Sequence, residues 1–239
     1  ARLGIPEKPE FTEEALNSWL LENEDRTYYG NAPSRAKVFG IGLSRTGTRS
    51  LTSALQVLGY DTSHYPIDED TYTELSNGQY DLTLLKDHDG LTDITTVPFY
   101  PQLDKAYPGS KFILTVREIE GWLRSCQNHW FNRPAFKKTD DPDDEVHLLM
   151  RQFLRSAVFG TYAFVPDRFV WVYDQHVKQV KEYFKDRPDD LLIIDICSGE
   201  GFEKLAPFLG REEPIEPFPH KGSVLSKRVA EARKEHGIT

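Results

Sequence analysis

Short apolar runs that alternate with amphipathic segments predict an α/β fold, a mostly parallel β-sheet flanked by helices. Three observations carry this reading. The run Lys111 to Val116 (KFILTV) is rich in strand formers and leads directly into a segment of helical periodicity. The stretch Gly40 to Ser50 (GIGLSRTGTRS) joins a short apolar run to a second such segment. Leu191 to Ile194 (LLII) repeats the pattern near the end of the chain.

The elements follow in order. Residues 1–36 read as an N-terminal arm, charged and carrying one short amphipathic helix from Phe11 to Leu21 with Ala15, Leu16, Trp19 and Leu20 on one face. Residues 37–239 read as a single α/β domain. Its first strand is Val38 to Ile41, and its first helix keeps Leu51, Ala54, Leu55 and Leu58 at helical spacing before Gly59 ends it. Short strands are expected near Tyr60 to Thr62 and at Tyr80 to Leu85. After Pro98 the spacing of Phe99, Leu103, Ala106 and Tyr107 predicts a helix stopped by Pro108 and Gly109. The KFILTV strand comes next, followed by a helix from Glu118 to Trp130. Further helices are expected from Glu145 to Tyr162 after an aspartate-rich turn, and from Pro166 to Lys185 with Phe169, Val172, His176, Val180 and Phe184 on one face. The strand Leu191 to Ile194, a helix from Phe202 to Leu209 and a charged helix from Leu225 to His236 complete the chain.

The chain has 239 residues and a formal charge of -9, which argues against general affinity for nucleic acid or anionic membranes, since both reward a positive surface. It contains no run of 18 apolar residues and no leader pattern at its start. The two cysteines, Cys126 and Cys197, suit two buried thiols in a reducing compartment, read as cytoplasmic, better than a disulfide framework. No metal-ligand spacing is present. Oligomeric state is not legible.

Gly42 and Gly47 have the GxxxxG spacing of a phosphate loop, whose backbone N–H groups approach an anion that also rests on the next helix N-terminus. The lysine of the ATPase form is replaced by Thr48. Without that lysine, hydrolysis of a nucleoside triphosphate loses much of its transition-state stabilisation. Arg45 supplies a permanent cation at another point of the loop, which suits a sulfuryl group leaving a 5′-phosphate. Arg117 stands at the carboxyl end of the KFILTV strand, where ligands bind in open parallel sheets. With Ser125 on the following helix it forms a candidate site for an additional phosphate, such as a nucleotide 3′-phosphate. Arg124 competes for that role, although its helix position suits solvent better. The plain alternative is a glycine turn with surface arginines.

Taken together, the segments GIGLSRTGTRSLTSALQVLGY, TDITTVPFYPQLDKAYPGSKFILTVREIEGWLRSC and LLIIDICSGEGFEKLAPFLG, the last followed by PFPH, resemble the sulfotransferase superfamily. The likeness is greatest to its branch with a GLxRTGT loop, and it spans about residues 37 to 222. The resemblance implies a P-loop-containing sulfotransferase-like fold with 3′-phosphoadenosine 5′-phosphosulfate (PAPS) as donor, adenosine 3′,5′-bisphosphate (PAP) as product and no metal. Ser44, Arg45, Thr46, Gly47, Thr48, Arg49 and Ser50 would then cradle the 5′-phosphosulfate, and Arg117 and Ser125 would hold the 3′-phosphate. Most of the superfamily has lysine in this loop; here Arg45 stands there and contributes charge only. Lys221 and Gly222 resemble the basic glycine loop that clamps the nucleotide.

The acceptor hydroxyl or amine needs a base. The resemblance puts the carboxylate of Asp93 in that position, with His88 the runner-up because many sulfotransferases use histidine. His64 and Phe99 are candidates to line the acceptor pocket, with Tyr100, Trp130 and Phe131 as further apolar walls. The acidic balance favours a neutral or cationic small-molecule acceptor over a polyanion unless a local basic groove overrides it. Asp195, after LLII, imitates the Mg²⁺-binding aspartate of a small-molecule kinase, and a turn or helix-capping role competes with that reading. A non-catalytic nucleotide-binding protein remains the third alternative.

Overall fold

The computed structural model describes residues 36–136 and 142–221, with residues 142–144 described by their backbone alone. The expected helices at Phe11 to Leu21 and Leu225 to His236 lie outside the described residues. Five short strands build one sheet: β1 (Val38–Gly40), β2 (Thr62–His64), β3 (Gly90–Thr92), β4 (Lys111–Thr115) and β5 (Leu191–Ile194). Their order is β2-β3-β1-β4-β5 and every pairing is parallel. The helices are α1 (Thr48–Val57), α2 (Glu69–Ser76), α3 (Tyr100–Ala106), α4 (Ile119–Asn132), α5 (Pro142–Phe159), α6 (Pro166–Tyr183) and α7 (Phe202–Phe208). No helix among the described residues is long and apolar enough to cross a membrane.

The apolar spacing of the helices decides which face each covers. Leu51, Ala54, Leu55 and Leu58 turn one side of α1 onto the sheet, where they pack with Ile113, Ile194 and with Phe202 and Leu205 of α7. The opposite face is filled by Leu75 of α2, Leu103 of α3 and Val180 and Phe184 of α6, packed on Phe39, Leu91 and Phe112. A third cluster joins α4, α5 and α6 through Trp122, Trp130, Met150, Leu154, Phe159 and Phe169, and it includes Leu43 of the β1–α1 loop. Local chemistry sets the helix ends. Asp68 accepts a 2.7 Å hydrogen bond from the Thr71 N–H at the start of α2. Proline stands in the first turn of α3 and α6, and Gly59 leaves α1 at φ 86°.

Two expected strands differ from those observed. The second lies two residues later than expected. The segment Tyr80 to Leu85 is not a strand; Thr83–Lys86 is a 3₁₀ turn whose Leu85, together with Leu82, is buried in the core. The third strand is Gly90–Thr92, which a glycine disguises because glycine weakens strand propensity. Packing requires that glycine: a Cβ at position 90 would sit 1.9 Å from the Val38 carbonyl oxygen of β1. The segment Val170 to Asp174 is helical, as its spacing predicted.

Gly90→Ala is therefore expected to force β3 away from β1 and lower stability by more than about 3 kcal/mol, measured as the urea unfolding midpoint.

Candidate active site

Parallel strands deliver their carboxyl ends to one edge, and the candidate residues collect there. The loop after β1 runs from Ile41 to Gly47. Its first glycine is seated against β4, since a Cβ on Gly42 would fall 1.8 Å from Thr115 Oγ1. Thr46 is fully buried; its hydroxyl donates to the Leu43 carbonyl at 2.6 Å, leaving the Thr115 hydroxyl to donate to Thr46 Oγ1 at 2.6 Å. From α4, Trp122 Nε1–H donates to the Ser44 carbonyl at 2.9 Å. Gly47 begins α1 at φ 102° with no side-chain cap, so the first N–H groups of the helix face the loop opening without a side-chain acceptor.

The cations meet over this loop. Arg45 Nε donates to Ser125 Oγ at 2.9 Å, and Arg117 Nη1 donates to the Arg45 carbonyl at 3.1 Å. Residues on three separate elements thus form one connected group. Tyr173 of α6 fixes Arg117 by accepting from its N–H at 2.9 Å and donating to its carbonyl at 2.7 Å. Burial lowers the pKa of Arg45, with Asp93 opposing and Arg117 and Arg49 adding to the effect. An arginine so shifted remains a cation at neutral pH. Arg49 is exposed on the first turn of α1 beside buried Thr48 and Ser50. The Lys221 N–H donates to Ser50 Oγ at 2.9 Å, which brings the segment after Phe218 across the start of α1.

Asp93 follows β3 directly. Its Oδ1 accepts from the Ser44 hydroxyl at 2.7 Å, and its Oδ2 lies 3.3 Å from His64 Nε2, His64 being the last residue of β2. An ionised carboxylate only accepts, so the facing imidazole nitrogen carries its proton and His64 Nδ1 accepts from the Thr92 hydroxyl, 3.1 Å away. Thr92 Oγ1 in turn lies 2.6 Å from Thr52 Oγ1, whose hydroxyl also donates to the Thr48 carbonyl at 2.9 Å. The Thr96 hydroxyl lies 2.8 Å from the Asp93 carbonyl and 2.7 Å from that of Gly40, tying the turn to β1. The non-glycine residues at positive φ among those described are Arg45 (77°), Tyr65 (50°) and Asp93 (80°), and all three lie at this edge. Such conformations cost of order 1–3 kcal/mol each and cluster at functional sites.

Other candidates are not brought here. His88 precedes β3, so it stands at the opposite edge from Asp93, with Nδ1 3.2 Å from the Asp61 carboxylate and its carbonyl held by Lys37. It is corrected as a candidate base because a parallel strand separates the two ends. Phe99 is half-buried and packs against the core, its ring 5.6 Å from that of Tyr80 and 5.9 Å from that of Phe153. Trp130 is likewise core and Phe131 is 86% exposed, so neither stands as the expected wall. Arg124 pairs with Glu120 on a solvated face of α4. Asp195 accepts from the Ser198 N–H at 2.9 Å, the capping role, and the turn it caps leaves Cys197 exposed rather than buried, whereas Cys126 is buried as expected. Trp122, Tyr173 and Tyr65 escaped the sequence reading because aromatic residues at helical or strand spacing look like core.

The loop, the joined cations and the carboxylate across from them narrow the family. A model of the sulfotransferase domain matches residues 37–224. The chain belongs to the sulfotransferase domain family. It is also similar to "Ava biosynthesis cluster protein M" of Aspergillus versicolor, at 26% identity over 212 residues that cover 77% of this chain and 80% of that protein. The sulfotransferase match begins at Lys37, just before β1, and takes in the whole described sheet.

Three histidines of this sulfotransferase fold are held below the ordinary value of 6.5. Burial is the main cause for His64, opposed by Asp93 and reinforced by Arg49. Burial also dominates for His176, whose Nε2–H donates to the Ile41 carbonyl. His129 is pushed down to about 3 by burial and then by Arg45, Arg133, Arg155 and Arg151. The unfolded chain therefore binds protons that the native one refuses. The stability these groups contribute is complete above pH 6.5 and is lost as pH falls below it. The urea midpoint is expected to drop between pH 7.5 and pH 5, with a shallower slope in His129→Gln.

Proposed function

We propose that this sulfotransferase moves a sulfuryl group from PAPS to the hydroxyl or amine of a small-molecule acceptor, without a metal. The observation that supports this most is the joining of Arg45, Arg117 and Ser125 around an uncapped helix N-terminus, with the Asp93 carboxylate facing the same loop. The donor set fits the nucleotide. It offers backbone N–H groups, two guanidinium groups and hydroxyls from Thr48, Ser50 and Ser125, on a loop that Gly42 lets lie directly against Thr115 and that Gly47 turns at a φ of 102°.

When bound, PAPS supplies the sulfuryl group and is released as PAP. Ser44, Arg45, Thr46, Gly47, Thr48, Arg49 and Ser50 would hold its 5′ end, where Arg45 and the N-terminus of α1 offset charge growing on the leaving phosphate oxygen. Arg117 and Ser125 would hold the 3′-phosphate, and Lys221 would close over the nucleotide from the far side of α1. Asp93 takes the acceptor's proton as the new S–O or S–N bond forms. Ser44 and His64 keep both carboxylate oxygens aimed, each still with a lone pair to offer.

Titration calorimetry is expected to show PAP binding without Mg²⁺, weakened about 10- to 100-fold in Arg117→Ala. Asp93→Asn should lower the transfer rate by about 10²–10⁴-fold while PAP binding persists. ATP binding that requires Mg²⁺, with no response to PAP, would overturn the proposal.

A further inference from the structure

Where α4 ends and α5 passes, three arginines gather without a counter-charge among the described residues. Arg155 is 4% exposed; its Nη1 donates to the Tyr162 carbonyl at 3.2 Å and its Nη2 to that of Arg133 at 2.6 Å, and its guanidinium lies 4.7 Å from the Trp130 ring centre. Arg151, half-buried, donates to the Pro134 carbonyl at 3.0 Å. Arg133 is the exposed C-cap residue of α4. Among the described residues none of the three forms an ion pair, whereas Arg124 and Arg187 do. In a chain with 38 acidic and 29 basic residues such a concentration is out of keeping with the overall balance.

Capping the end of α4 explains the backbone contacts but not the charge. Gln152, in the same turn of α5, donates to the Ala135 carbonyl at 2.8 Å and does that work as a neutral group. A buried guanidinium with no anion is unfavourable, and burial draws the pKa of Arg155 down to about 10. Around the three cations stand neutral donors. The buried indole Nε1 of Trp130 has no acceptor among the described residues. Burial keeps the Tyr65 hydroxyl protonated, its pKa raised to about 12 although all three arginines pull it down. Tyr65 also feels Asp93, and His129 feels Arg45 together with the same three arginines. Tyr65, next to His64, and Ile94, next to Asp93, pack into the same apolar cluster as Trp130, Met150 and Leu154, so the arginines and the reacting end of the site border one cluster.

The geometry points to an acceptor that carries a carboxylate, gripped by Arg133 and Arg151 while its hydroxyl or amine meets Asp93. The planar guanidinium matches a carboxylate with two parallel hydrogen bonds. This inference rests on the sulfotransferase reading of the site, and it reverses the preference for neutral or cationic acceptors that net charge suggests.

The test is calorimetric binding of 4-hydroxyphenylacetate, 4-hydroxybenzoate and 3-hydroxybenzoate, each against its primary amide, to the full chain with and without PAP. At least one acid is expected to bind about tenfold or more tightly than its amide. That ratio should fall towards one in Arg133→Gln and in Arg151→Gln, and persist in Arg124→Gln. Should no acid outbind its amide, or should the ratio survive both replacements, the carboxylate site is overturned even if PAP binds and transfer proceeds. Failure of PAP to bind would instead sink the sulfotransferase reading, and the acid-to-amide ratio measured without nucleotide would still decide the arginine site.

Discussion

Everything at the site depends on how closely β1 lies against β4. Gly42 has no room for a side chain beside Thr115, and the hydroxyls of Thr46 and Thr115 meet at 2.6 Å. That contact brings the loop after β1 and the segment after β4 side by side. Arg45 and Arg117, distant in sequence, then become neighbours, and Trp122 and Ser125 on α4 reach back to the same loop. The central strand pair is thus both the core of the sheet and the frame of the proposed anion site. A loop so tethered has little conformational freedom left to lose when an anion binds, which is the physical meaning of pre-organisation.

The second level of order is electrostatic. On one side of the edge Arg45 and Arg117 sit with the N-terminus of α1; on the other, Asp93 is held by Ser44 and His64. Ser44 belongs to both halves, since its carbonyl is fixed by Trp122 and its hydroxyl by the Asp93 carboxylate. The left-handed backbone at Arg45, Tyr65 and Asp93 shows where the fold tolerates strain to aim these groups. The arginines around Trp130 add positive charge beside the apolar cluster that Ile94 and Tyr65 join.

Much of this was legible from pattern. The glycine loop, the arginine after KFILTV and the periodicity of α1, α4 and α6 depend on local spacing, and each element appeared within a few residues of its expected place. The third strand was misplaced because its glycine is required by the Val38 carbonyl, a contact no local rule can see. His88 and Asp93 looked alike as loop residues near one another; which belongs to the site depends on the strand between them. Tyr173 and Trp122 act through single polar atoms on otherwise apolar side chains, so spacing reads them as core.

The sequence by itself determined the α/β class, the family resemblance and the chemical type of the loop, because helical and strand periods, glycine positions and the arginine in place of a lysine are local properties. Only the tertiary structure decided that Arg45, Arg117 and Ser125 form one connected group, that Asp93 rather than His88 faces it, and that Arg133, Arg151 and Arg155 collect beside it. The reason is that parallel pairing gathers the ends of strands far apart in the chain onto one edge. Charges that the composition averages into an acidic whole are there resolved into positive and negative groups joined to one loop.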